Sequence, residues 1–169
     1  MHVKIWILVS TNLKEIEMAE NLFSKAKESA EAVRGKISDL KENLWGDEQQ
    51  EIIKEFKDSG TAKIKEVLEN IGGSSAIFEK SGYELRNVSI NLGLPPVISS
   101  DFHFIRDISK EEQQKILDET KESRVVHLLI KCLLKASDYF DMVKVGDYKL
   151  SNVKIALGLV PGIEINFSK

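Results

Sequence analysis

The chain reads as an α+β domain: two αββ repeats forming a four-stranded antiparallel sheet covered on one face by helices, preceded by a short strand and a long N-terminal helix. Three observations predict this. First, "YELRNVSINLGLPPVISSDF" from Tyr83 to Phe102 nearly recurs as "YKLSNVKIALGLVPGIEINF" from Tyr148 to Phe167. Tyr, Leu, Asn, Val, Ile, Leu, Gly, Leu, Pro, Ile and Phe fall at the same places, eleven of twenty positions, where unrelated sequence of this composition would share roughly one or two. Second, each copy alternates apolar with polar residues, the period of a half-buried strand. Third, helical periodicity precedes both copies.

Val3 to Val9 is β-branched and aromatic and ends at "STN", which predicts a strand. Asn12 with Glu15 then caps a helix. Its apolar positions include Ile16, Phe23, Ala26, Ala30, Val33 and Ile37 in steps of three and four, the seam of a helix facing another helix. The alanines at its centre admit a close partner, either another helix of this chain or a second copy. Gly46 stops it.

Asp47 with Gln50 opens a short amphipathic stretch through Ile52, Ile53 and Phe56, which "DSG" interrupts. Thr61 restarts a helix along Ile64, Val67, Leu68 and Ile71, and "GGSS" ends it. A helical turn through Ile77 and Phe78 leads into the first hairpin. Ser109 and Glu112 form a capping box for a long helix reaching about Val143. Its second half is apolar over more than one stripe, which predicts cover on two sides. The segments are therefore 1–46, strand and long helix; 47–105, first helix–hairpin repeat; and 109–168, second repeat, all within one domain, 1–169.

In the first copy Val88, Ile90, Leu92 and Leu94 lie on one face; in the second Val153, Ile155, Leu157 and Leu159 do. The returning arms repeat this with Ile98, Phe102 and Phe104, and with Ile163, Ile165 and Phe167, while "GLPPV" and "GLVPG" make the reversals. Tyr83 and Leu85 have the opposite parity to Val88, as Leu150 has to Val153, which predicts bulges at Asn87 and Asn152. A lone hairpin is marginal in water, so the two are expected to join in one sheet, related by an approximate twofold axis.

Of 169 residues, 42% are apolar and 30% charged, with 24 basic against 27 acidic side chains and net charge -3. No overall field gathers nucleic acid. The single Cys132 stands in an apolar run, as a buried inert thiol, and fits a reducing, cytoplasmic setting. The apolar stretch Ile5 to Val9 is too short to span a bilayer.

Candidate chemistry is sparse. Ser99, Asp101 and His103 share a strand face, but alternate residues stand about 6.5–7 Å apart, so serine and histidine at opposite ends share no proton-transfer contact. Arg124, His127, Lys131 and Lys135 make a narrow cationic strip suited to a carboxylate or phosphate, or simply a solvated helix edge. Gly72 to Ser75 lacks the spacing and lysine of a nucleotide loop and reads as a helix stop with a serine cap. Tyr83 and Tyr148 are expected to pack their rings with the hydroxyls at the rim. His2, His103 and His127 lack the spacing of a helical zinc site.

No cofactor, metal or catalytic residue is named on this basis, and no enzyme activity is expected. The sequence favours a non-enzymatic interaction or oligomerisation module using apolar helical surface, its partner another protein chain or itself. The alternative is a carrier holding a small apolar molecule between the sheet and the helices, near Phe102, Phe104, Phe140 and Phe167. An enzyme whose site is assembled from distant segments ranks third.

Overall fold

The computed structural model describes residues 3–8, 47–93, 96–143 and 146–169. Its elements are β1 (Val3–Leu8), α1 (Asp47–Gly73), α2 (Ser75–Lys80), β2 (Tyr83–Asn91), β3 (Val97–Phe104), α3 (Lys110–Glu119), α4 (Arg124–Val143), β4 (Lys149–Leu157) and β5 (Gly162–Ser168). The long helix expected after Asn12 lies outside the described residues. Among them, no helix is long and apolar enough to cross a membrane.

The sheet is antiparallel throughout, in the order β1-β5-β4-β3-β2. The two hairpins thus form the expected four strands, and β1 adds a fifth along β5, from Val3 opposite Phe167 to Leu8 opposite Gly162. One expectation is corrected. A twofold axis would exchange β3 with β4, yet the sequence makes β2 the counterpart of β4 and β3 that of β5. Corresponding strands lie two places apart and run the same way, so the relation is a step of roughly 9–10 Å along the sheet. Such a step keeps corresponding side chains on the same face.

Both register shifts fall where the parity switch places them, between Leu85 and Asn87 against β3 and between Leu150 and Asn152 against β5. The extra residues are Arg86 and Ser151. They let Tyr83 and Leu85 face inward together with Val88 and Ile90, which uninterrupted alternation would forbid.

The dry face includes Ile98 and Phe102 on β3, Val153, Ile155 and Leu157 on β4, and Ile163, Ile165 and Phe167 on β5, all buried. Ten residues of α4 from Val125 to Tyr139 are buried as well. That breadth follows from cover on two sides, α1 packing on one and β4 on the other. Edge-to-face contact of Phe78 with Phe102 at 4.9 Å and stacking of Phe140 on Phe167 at 5.6 Å join helices to sheet. Full burial of a ring such as Phe102 contributes on the order of 2–3 kcal/mol.

The helices differ from expectation at two breaks. The stop at "DSG" is a kink within α1, where Gly60 takes φ 59 and ψ -138, a geometry that glycine tolerates. The long helix expected from Ser109 to about Val143 is two helices. The capping box is present, Ser109 Oγ accepting from Glu112 N and the Glu112 carboxylate from Ser109 N. At the far end Thr120 Oγ1 donates to the Ile116 carbonyl at 2.9 Å, and a turn through Ser123 precedes α4. The run from Asp118 to Ser123 carries no apolar side chain, and the threonine hydroxyl satisfies the helix end.

Candidate functional site

Because consecutive strands of the meander are antiparallel, the β2–β3 and β4–β5 turns emerge at the same end of the sheet. Among the described residues three large apolar side chains stand out of the fold there: Leu92 is 80% exposed, Leu159 57% and Val160 54%. The sequence places Leu92 and Leu159 on the dry face, and the structure corrects this. Leu92 follows the last β2–β3 pair, Asn91 opposite Val97, so no opposing residue shelters it. Its counterpart Leu157 lies opposite Ile98 and is buried.

Two features hold the turns in place. A Cβ on Gly158 would come within 2.8 Å of Val97 Cγ2, so glycine there lets the second turn lie against the start of β3. The buried Gln49 side chain donates from Nε2 to the Gly158 carbonyl at 3.0 Å, tying the start of α1 to the same turn. Gln49, Gln50, Ile53, Lys54 and Leu159 line a shallow depression of about 370 Å³ beside it. Its chemistry suits an apolar side chain flanked by amide and ammonium groups.

The opposite face of the sheet carries a depression of about 510 Å³ between the two bulges, with Arg86, Asp101, Asn152, Lys154, Glu164 and Asn166 among its lining; Glu164 is buried there, and Asp101, Lys154 and Asn166 are half-buried. Two cations and two carboxylates largely offset one another. Ser99, Asp101 and His103 lie on this face as expected, but Asp101 and His103 bond to neighbouring strands. Asn87 Nδ2 donates to Asp101 Oδ2 at 3.3 Å, and His103 Nδ1 lies 3.0 Å from Asn152 Oδ1.

The strip on α4 is distributed among different surroundings. Arg124 Nη1 reaches Glu51 Oε2 at 2.8 Å and Glu55 Oε1 at 3.3 Å, both on α1. His127 Nδ1 lies 2.9 Å from Thr120 Oγ1. Lys131 is half-buried and Lys135 exposed. None of the four lines either depression. The seam residues Ile16, Phe23, Ala26, Ala30, Val33 and Ile37 lie outside the described residues.

At "GGSS", Ser74 Oγ donates to the Asn70 carbonyl at 2.6 Å and Ser75 Oγ to that of Gly72 at 3.1 Å, so both hydroxyls finish α1. Tyr83 departs from its expected place. It is fully buried, and its hydroxyl donates to the Leu133 carbonyl at 2.9 Å and meets Ser137 Oγ at 2.5 Å. Burial holds this hydroxyl far above the usual tyrosine range. Tyr148 is half-buried, with Lys169 Nζ 5.2 Å from its ring centre. The Cys132 thiol is wholly buried, and burial raises its pKa, which keeps the reactive thiolate scarce.

Sequence reasoning missed the exposed turns because the alternating pattern that marks a strand does not show where its ladder ends. The signal was the prolines close behind those leucines, which mark segments where ladder pairing stops. No protein-family model, no curated protein and no solved structure matches the chain.

Proposed function

We propose that the chain is a non-enzymatic interaction module whose contact surface is the hairpin-turn end of the sheet. The observation that carries this reading is the outward display of Leu92, Leu159 and Val160 at that one end. Apolar side chains gathered on a surface and rimmed by polar groups are the usual mark of a protein contact. The apolar surface of α4, which the sequence favoured for this role, is covered by α1 and the sheet, so the contact moves to the turns. In this reading the two hairpins descend from one repeated helix–hairpin unit, and the buried thiol of Cys132 fits a cytoplasmic setting.

Affinity isolation from the source cell with the wild type and with Leu159→Asp/Val160→Asp tests the reading. Both residues are exposed, so the fold tolerates the change. A protein retained by the wild type and lost from the variant is the expected result. Identical recoveries from the two baits would refute it.

A further inference from the structure

We propose that the outer edge of β2 is a dimer interface, pairing antiparallel with β2 of a second copy about a twofold axis at Ile90. The proposal deepens the interaction reading by naming a partner, and it rests on the correspondence between the two hairpins.

β4 is the counterpart of β2, and the structure shows what that strand does with its corresponding edge. It pairs with β3 from Asn152 opposite His103 to Leu157 opposite Ile98, and the ladder stops beside the bulge. With that neighbour in place Val153, Ile155 and Leu157 are buried to 0%, 0% and 1% exposure. On β2 the same row is Val88, Ile90 and Leu92. Among the described residues no strand pairs with its outer edge; Val88 and Ile90 are half-buried, and Leu92 stands 80% exposed.

Sheet edges in soluble proteins are commonly blunted by charge or proline. From Asn87 to Leu92 this edge reads "NVSINL", with neither. The charged residues Glu84 and Arg86 lie on the far side of Asn87, paired with each other at 2.7 Å. Among the described residues the edge is thus an unprotected acceptor for a short alternating strand. Within a second copy, the strands of β3 type are already paired on both sides, β3 by β2 and β4 and β5 by β4 and β1. Among the described residues the chain's two edge strands are β1 and β2; β1, VKIWIL, carries a lysine, the residue type that blunts an edge, which leaves β2 as the strand with the required uncharged pattern.

Register follows from the faces. A twofold axis perpendicular to the sheet keeps the dry faces of both copies on one side, so apolar residues must oppose apolar ones. Centring on Ile90 sets Val88 against Leu92 of the partner subunit and Ser89 against Asn91 of the partner subunit. Each leucine gains the cross-strand neighbour it lacks, and no charges meet. Bulges at Arg86 in both copies bound the ladder, and the interface closes on itself.

Sedimentation equilibrium on the full chain tests this. The wild type is expected to dimerise. Ser89→Lys/Asn91→Lys sets lysine against lysine twice per interface at exposed positions and is expected to weaken association at least about tenfold. Ser89→Glu/Asn91→Glu is expected to do the same, and an equimolar mixture of the two to recover a heterodimer. A monomeric wild type at hundreds of micromolar overturns the proposal, as does a mixture that fails to reassociate. A dimer insensitive to both variants but broken by Leu159→Asp/Val160→Asp overturns it too, while leaving the interaction reading in place. If another protein's strand occupies β2 of a monomeric chain, the edge belongs to that occupant and self-pairing is wrong.

Discussion

Gly82→Ala is expected to be among the most damaging single-atom-group additions to this chain. Gly82 has φ 89, and a Cβ built on it would lie 2.1 Å from the Arg106 carbonyl oxygen. The Gly82 carbonyl also accepts from Ile105 N at 2.8 Å and Arg106 N at 3.3 Å, closing the first hairpin where β2 begins and β3 ends. An L residue at positive φ costs about 1–2 kcal/mol. The opposing atom is backbone, so relief of the overlap requires the two segments to separate, weakening two hydrogen bonds worth about 1 kcal/mol each. The sum is about 3–4 kcal/mol, or roughly 6–16 °C in midpoint for a chain of this size. Thermal unfolding followed by far-ultraviolet circular dichroism measures it. Gly72→Ala is the control: it lies in α1 with nothing within 4 Å of the added Cβ, and it is expected to be neutral or to stabilise by about 0.5–1 kcal/mol. Equal midpoints for the two variants would refute the close-approach reasoning.

The same chemical change should have opposite signs at two tyrosines: Tyr83→Phe deletes a buried hydroxyl with two partners and should cost about 1–2 kcal/mol in urea unfolding, whereas Tyr139→Phe deletes one that is buried without a partner among the described residues and should be neutral or stabilising by about 1 kcal/mol. Burial raises the Tyr139 hydroxyl to about 12, so alkaline titration of absorbance should find it resistant below that pH in the native state. Ser100 is likewise buried with a hydroxyl that has no partner among the described residues, at the position where β5 has Ile165, and Ser100→Ala should raise the urea midpoint; a loss above about 1 kcal/mol would reveal a further partner. The Ser109 amide, with smaller help from Arg106, holds the Glu112 carboxyl below its usual value. Its folded pKa is thus depressed, so its stabilisation is present above the unfolded value and lost as pH falls through the folded one. The stability gap between wild type and Glu112→Gln should shrink over that acidic window, and a gap independent of pH would contradict the capping box.

The parts legible in the sequence are those set by near neighbours. The parity switch at Asn87 and Asn152 revealed both bulges, since a change of alternation has few other causes, and Ser109 with Glu112 revealed the start of α3. What escaped depends on distant residues or on geometry that identity does not encode. Eleven shared residues align β2 with β4 and β3 with β5 in sequence, an alignment equally compatible with a rotation or a step, and the strand order places the aligned strands two positions apart. Thr120 and Ser123 are tolerated inside helices, so the break between α3 and α4 was hidden. Tyr83 looked like a rim tyrosine because its acceptor, the Leu133 carbonyl, lies 50 positions away. The exposure of Leu92 depends on which strand occupies the edge of β2, a property of sheet order and not of the hairpin.

The central claim is that two similar hairpins lie side by side in one sheet, related by a two-strand step. Interstrand nuclear Overhauser effects measured across the β3–β4 seam test it most directly. The account predicts a continuous antiparallel series from Ile98 opposite Leu157 to His103 opposite Asn152. A series linking β2 to β5 in its place, or no contacts between the hairpins, would contradict it.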